Sequence, residues 1–107
     1  MTNPTVVAEM REEIGDDLFW ELWEATLRQT SDALERMRGS MARGETVSLG
    51  KSAHQLKGSA AAVGMSAIAA AAQELEEAGI SAELGPVPPL LDRLEDAFGR
   101  TRLGVAV

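Results

Sequence analysis

The sequence predicts an all-α protein: an antiparallel four-helix bundle with a short additional helix at its N-terminus. Three observations predict it. Helix formers, chiefly Ala, Glu, Leu, Met and Arg, dominate the long stretches, while aromatic residues make up only 4%. No segment sustains the period-two alternation of a half-buried strand. Glycines and prolines punctuate segments whose apolar residues recur at spacings of three and four, the rhythm of a helix face. With 107 residues the chain is long enough for one domain and too short for two. A single domain over residues 1–107 is expected, its bundle running from about residue 4 to about residue 102.

The first helix starts at Asn3-Pro4. Asn accepts hydrogen bonds from free amides at an N-cap, and Pro fits the first helical position because its missing N–H is not needed there. Val7, Met10 and Ile14 make one apolar stripe, and Gly15 ends the segment. Asp16 and Asp17 then offer an N-cap for a long second helix. Trp20, Trp23, Leu27, Thr30, Leu34, Met37 and Met41 alternate spacings of three and four, a heptad seam facing a bundle core, and Gly44 stops the helix. A third helix runs from Thr46 or Ser48 to Val63, with Gly64 marking its end or a close helix contact. Ser66 is the expected cap of a fourth, with Ile68, Ala72 and Leu75 inward and Gly79 as its stop. Its alanine-rich approach, Ala60 to Ala72, lets neighbouring helices come close. Ile80 to Pro89 holds three prolines and a glycine and reads as a loop leading into a last helix carried by Leu91, Leu94 and Phe98. The tail from Leu103 to Val107 is expected to fray.

Composition excludes several functions. There is no cysteine and one histidine, so a disulfide scaffold and a cysteine zinc site are ruled out and a mixed His/carboxylate site is poorly supplied. Seventeen acids against ten bases give a net charge of −7, which argues against nucleic acid as a partner. No apolar run approaches the roughly 20 residues that span a bilayer, and no basic-then-apolar leader opens the chain, so a cytoplasmic location is the expectation. Neither G-x-G-x-x-G nor G-x-x-x-x-G-K-[ST] occurs, and the chain is too short to add an ATP-binding domain.

One face of the third helix does not fit a purely structural reading. At 100° per residue, Leu49, Ala53, Leu56, Ala60 and Val63 form its core stripe, and His54 points roughly 140° from the stripe's centre, toward solvent. Gly50 lies one turn before His54 and Gly58 one turn after, with Ala61 beyond. Lys51 and Lys57 flank it at three residues on either side. A glycine inside a helix costs about 1 kcal/mol relative to alanine. A merely solvated face gains nothing from two of them; a face that must let another protein reach an imidazole gains clearance. No Asp or Glu occurs from Thr46 to Gln73, so an anion at His54 is expected to feel local cations and no adjacent carboxylate. The acidic pairs Glu12-Glu13, Asp16-Asp17 and Glu76-Glu77 read as solvated faces and helix starts. Imidazole titrates close to neutral pH, so the neutral, nucleophilic ring is available to carry a phosphoryl group on nitrogen. An ammonium one turn along reaches the phosphoryl oxygens.

The segment Ala53-His54-Gln55-Leu56-Lys57-Gly58-Ser59, followed by Gly64, resembles the signature of histidine-containing phosphotransfer (HPt) domains, His-x-x-Lys-Gly-Ser with a second glycine six residues after the first. The resemblance spans nearly the whole chain. It implies that His54 is phosphorylated, that Lys57 neutralises the phosphoryl group, that Gly58 leaves room for the partner and that Gly64 is structural. Lys51 as a second stabilising cation, and Gly50 and Ala61 as further clearance, come from the helical wheel alone. The alanine-rich fourth helix departs from the larger apolar residues frequent in the family, and bears on helix spacing.

The expected function is that of a free-standing, monomeric phosphorelay intermediate between receiver-domain aspartates, fed by a hybrid histidine kinase and serving response regulators. It has no cofactor of its own. The resemblance implies that the receiver supplies Mg²⁺ and the acceptor carboxylate, in a transient docking of modest area. A four-helix adaptor without chemistry is the alternative. A dimeric histidine-kinase stalk is a further one, separated by oligomeric state.

Overall fold

The computed structural model describes residues 2–104. Five helices follow in order: α1 (Pro4–Ile14), α2 (Asp16–Ala42), α3 (Thr46–Ala62), α4 (Ser66–Ile80) and α5 (Val87–Gly104), and no strand occurs among the described residues. α2 adjoins α3 and α5, and α4 adjoins the same two, so α2 to α5 close a ring of four. The connections between them are short, which makes successive helices antiparallel. At 27 residues α2 is about 40 Å long at 1.5 Å per residue, and it sets the long dimension of the 42 × 21 × 19 Å molecule.

The seam read from α2 faces the core. Trp23, Leu27, Thr30, Leu34 and Met37 are buried, and Trp20 and Met41 are half-buried at its ends. Thr30 fits there because its hydroxyl donates to the Thr26 carbonyl at 2.8 Å, leaving no unpaired polar group. Phe19 is fully buried as well, edge-on to Trp20 with ring centroids 4.9 Å apart. The heptad reading passed over it because it lies one residue off the seam. Leu49, Ala53, Leu56 and Ala60 of α3 complete the core with Ile68, Ala72 and Leu75 of α4 and Leu91 and Leu94 of α5. Phe98 is half-buried, under the Arg102 guanidinium.

α1 caps one end of the bundle. The Asn3 side chain accepts from the Thr5 and Val6 amides, and the Asn3 amide donates to the Gly64 carbonyl in the α3–α4 turn at 2.8 Å. Gly64 has φ +81°, and a Cβ there would lie 2.9 Å from a Val7 methyl and 3.1 Å from the Asn3 carbonyl oxygen. Glycine is therefore required at this turn twice over, by backbone conformation and by α1 seated on it. Val7, Met10 and Ile14 pack half-buried against the core. At the bend into α2, Arg11 pairs with Asp16 at 2.9 Å, and that hydrogen bond holds the Asp16 carboxyl below its ordinary value.

Four boundaries correct the sequence reading. Met65, rather than Ser66, occupies the N-cap of α4, and Ser66 is its first helical residue. Gly15, rather than either aspartate, occupies the N-cap of α2, and Asp16 and Asp17 form its first turn. Gly79 does not stop α4, which continues to Ile80. It is buried, and a Cβ on it would fall 2.7 Å from the Gly50 Cα and 2.9 Å from the Thr46 carbonyl oxygen. Gly79 is the point at which α3 and α4 touch backbone to backbone. The last helix opens at Val87, so Pro88 and Pro89 lie within its first turn, where proline is tolerated. Leu103 still belongs to α5; residues 105–107 of the predicted frayed tail lie outside the described residues.

Candidate functional site

His54 lies near the middle of α3, opposite the buried stripe, with its side chain 67% exposed. The placement follows from the wheel: four leucine and alanine positions tie one side of α3 to the core and leave His54 on the other. The antiparallel run of α3 against α4 then decides what His54 meets. A Cβ on Gly50 would sit 3.6 Å from the Gly79 Cα and 3.8 Å from the Glu76 carbonyl oxygen, so this stretch of α4 lies directly against α3. One turn further along α3 is His54, and one turn back along α4 from Gly79 is Glu76. The two side chains meet: His54 Nδ1 is 2.5 Å from Glu76 Oε2. Lys57 Nζ donates to the other carboxylate oxygen, Oε1.

The three residues form one bridge in which Glu76 holds both the histidine and its lysine. The sequence reading is corrected here in two respects. Glu76 is not part of a solvated face, since its side chain is only 15% exposed. The acid-free window from Thr46 to Gln73 is acid-free along the chain but not in space. The charges around the imidazole are Lys51 and Lys57 against Glu76, still an excess of one cation. Hydrogen bonding from Lys57, then from His54, holds the Glu76 carboxyl below its ordinary value of 4.5, against the opposing effect of burial.

The bridge has a chemical consequence. An ionised carboxylate only accepts hydrogen bonds, so the ring nitrogen against it, Nδ1, carries the proton. The lone pair of the neutral ring is then on Nε2, which has no partner among the described residues. Nε2 is the nucleophilic atom.

Gly58 is open: a Cβ there would meet nothing within 4 Å. Ala61 is exposed one turn on, and a shallow groove passes Lys57, Gly58 and Ala61 between Val6 of α1 and Gln73 of α4. Gly50 has the opposite surroundings. The sequence reading gave it to partner clearance; the structure places it in the α3–α4 contact, where α4 already covers it. Lys51 is exposed and has no ion-pair partner among the described residues. With Val47, Ile80, His54 and Glu76 it lines a depression of about 420 Å³ beside the imidazole. Val47 and Ile80 are 69% and 77% exposed and give that depression an apolar shelf. Gly64 lies at the α1 end, away from this chemistry. No cluster of three or more metal-ligating side chains occurs among the described residues.

The comparisons with known proteins bear on this arrangement. A family model described as Hpt domain matches residues 21–103. The chain belongs to the Hpt domain family. Hpt domains are phosphotransfer carriers without kinase activity, and they pass phosphoryl groups to the receiver domains of response regulators. The fold is also that of the crystal structure of histidine-containing phosphotransfer protein B (HptB) from Pseudomonas aeruginosa PAO1. That chain aligns with a TM-score of 0.89 at 24% identity, over 95% of this chain and 88% of its own. No curated protein sequence matches the chain significantly. No helix among the described residues is long and apolar enough to cross a membrane.

Glu76 is the functional residue that sequence reasoning missed. Its signal was the Gly50–Gly79 pair: two helix-interior glycines that mark a close crossing also fix which residues oppose one another a turn away.

Proposed function

We propose that this Hpt protein relays a phosphoryl group between receiver-domain aspartates through phospho-His54. The observation that carries the reading is the exposed imidazole on α3, its Nε2 unpartnered among the described residues and its approach open at Gly58. In the first step the Nε2 lone pair attacks the phosphorus of an aspartyl phosphate on one receiver. The Nε2–P bond forms, the P–O bond to the aspartate breaks, and the electron pair leaves with the carboxylate. In the second step a carboxylate oxygen of another receiver attacks the same phosphorus, and the Nε2–P electron pair returns to the ring.

Each neighbour has a role in this scheme. Gly58 leaves the in-line path clear for both receivers. Lys57 turns from Glu76 to the phosphoryl oxygens, and Lys51 adds a second positive charge. The magnesium ion that neutralises the aspartyl phosphate belongs to the receiver. Upstream, the donor is the receiver of a hybrid histidine kinase. The protein acts as a monomer in the cytoplasm, with no ATP site of its own.

The test uses a receiver domain pre-phosphorylated with a small-molecule donor and intact-mass detection of both proteins. Wild type is expected to gain one phosphoryl group and to lose it to a second receiver. His54→Gln is expected to gain none, with its helical circular dichroism unchanged. Absence of any gain by wild type across a broad receiver panel would favour an adaptor without chemistry.

A further inference from the structure

Two lysines flank His54 at the same distance in sequence, and the fold places them on different sides of the ring. At 100° per residue, Lys57 lies about 60° from His54 in one rotational sense and Lys51 about 60° in the other. Gly50, which packs against α4, is displaced by about 40° in the same sense as Lys57. Lys57 is therefore on the α4 side of the imidazole, and Lys51 on the side turned away from α4. The hydrogen bonds agree, since Lys57 Nζ donates to the Glu76 carboxylate that also meets His54 Nδ1. Nε2 lies across the ring from Nδ1. The nitrogen that takes the phosphoryl group thus points away from α4 and from the Lys57 ammonium.

The two cations also differ in what holds them. The Lys57 side chain is 33% exposed and paired with a largely buried carboxylate, and that pair is neutral as a whole. Lys51 is exposed and has no ion-pair partner among the described residues. It lines the same depression as His54, whereas Lys57 lines the groove on the Gly58 side. Val47, Gln55 and Ile80 of the depression are uncharged, and α2 adds no side chain to it. The charged groups about the ring are Lys51 and Lys57 from α3 and Glu76 from α4. Lys51 is the one that nothing compensates.

We infer that Lys51 is the catalytic residue that first holds the phosphoryl oxygens on Nε2, ahead of Lys57. The inference rests on the relay reading above, and it departs from the family resemblance, which gives this task to Lys57. Residues three apart on a helix have Cβ atoms about 5–6 Å apart, within reach of a lysine stem. Contact with the phosphoryl group costs Lys51 only side-chain freedom. Lys57 has first to leave a carboxylate that is 15% exposed, and a buried charge that loses its partner is costly. Lys57 therefore adds its charge second, once the phosphoryl group is in place. No bond beyond those of the relay forms or breaks. Lys51 keeps its protons and donates hydrogen bonds to oxygens that stay on phosphorus as it passes from aspartate to imidazole.

The experiment first charges His54 with phosphoramidate, so that no receiver is involved, and follows the ³¹P resonance from about pH 5 to about pH 9. A phosphoryl group takes up its last proton at about pH 6, and a cation against its oxygens lowers that value. Lys51→Gln is expected to raise it by about 0.5 or more, Lys51→Arg to leave it close to wild type, and Lys57→Gln to raise it less than Lys51→Gln does. A titration unchanged by Lys51→Gln, or moved further by Lys57→Gln, would overturn the inference. Position 51 is exposed, so helical circular dichroism is expected to be the same in wild type and both of its variants. The second readout is the rate of uptake from a pre-phosphorylated receiver. Lys51→Gln is expected to slow it by about tenfold, and Lys51→Arg to restore it to within about threefold. Uptake by Lys51→Gln at the wild-type rate would overturn the inference and leave the relay intact. Failure of wild type to accept phosphoryl from any receiver, while phosphoramidate still charges His54, would overturn the relay itself.

Discussion

Gly50 and Gly58 stand one turn to either side of His54 on the same helix, and their surroundings are opposite. A Cβ at Gly50 would rest on the α4 backbone at 3.6 Å, whereas one at Gly58 would meet nothing within 4 Å. On a helical wheel the two are equivalent. The difference comes from α4, which crosses α3 closely at Gly79 and leaves the stretch around Gly58 open. One glycine brings a neighbouring helix in and so delivers Glu76 to the imidazole; the other keeps that side of the imidazole clear. Residue type and spacing place a glycine on a face, and only the packing of the next helix says whether the face is filled.

Substitutions along this line break the comparison in different ways. The largest effect is expected at the far side of the crossing. Gly79→Ala drives a Cβ to 2.7 Å from the Gly50 Cα and 2.8 Å from its amide nitrogen, backbone atoms that cannot step aside. Overpacking of this kind costs about 1–3 kcal/mol. Chemical denaturation should show that loss, together with slower phosphoryl transfer as Glu76 moves off the ring. An unchanged midpoint would mean that the helices do not touch there.

Gly58 is expected to separate stability from activity. Gly58→Ala places a methyl in open space and should stabilise the protein by up to about 1 kcal/mol through helix propensity. Gly58→Gln should keep the fold and slow transfer from a receiver by about tenfold or more, because the side chain occupies the approach to the ring. Equal transfer by all three proteins would remove clearance from the account of Gly58.

Gly50→Ala sharpens the contrast with Gly79. Its Cβ contacts are ordinary van der Waals distances, so the substitution should be neutral or stabilising by less than about 1 kcal/mol, measured in the same denaturation series. The asymmetry between Gly50→Ala and Gly79→Ala is the signature of a crossing whose Cβ direction points from α4 into α3. The smallest effect belongs to pH. The Glu76 carboxyl is held below 4.5 when folded, so its bridge contributes stability that is fully present above about that value. This contribution is lost as pH falls through the depressed folded value. Glu76→Gln should flatten the acid limb of the stability curve slightly; identical acid limbs would show that the bridge adds no stability.

Most of the fold was legible because bundle helices advertise themselves by period. The seam from Trp23 to Met37, the α3 stripe from Leu49 to Ala60 and the Asn3 cap of α1 all stand where their spacing and chemistry put them. What was not legible depends on how helices meet. Gly79 reads as a terminator because glycine commonly follows a helix, and nothing local distinguishes that role from a crossing point. Phe19 is off the heptad seam and is buried because the start of α2 is packed on more than one side, by the bundle and by α1. At the site, His54, Lys57 and Gly58 were visible as a pattern on one helix. Glu76 was not, because it comes from α4, 22 residues away in sequence. A charge window counted along the chain passed over the one carboxylate that folding brings to the ring.

The central claim is that His54 carries the phosphoryl group, and locating that group tests it most directly. The protein would be phosphorylated from a charged receiver, digested at alkaline pH and mapped by fragmentation mass spectrometry. The account predicts one phosphoryl group on the His54 peptide, lost on brief acid treatment and stable to base. An acid-stable, base-labile group on Ser52 or Ser59 of the same helix would contradict it.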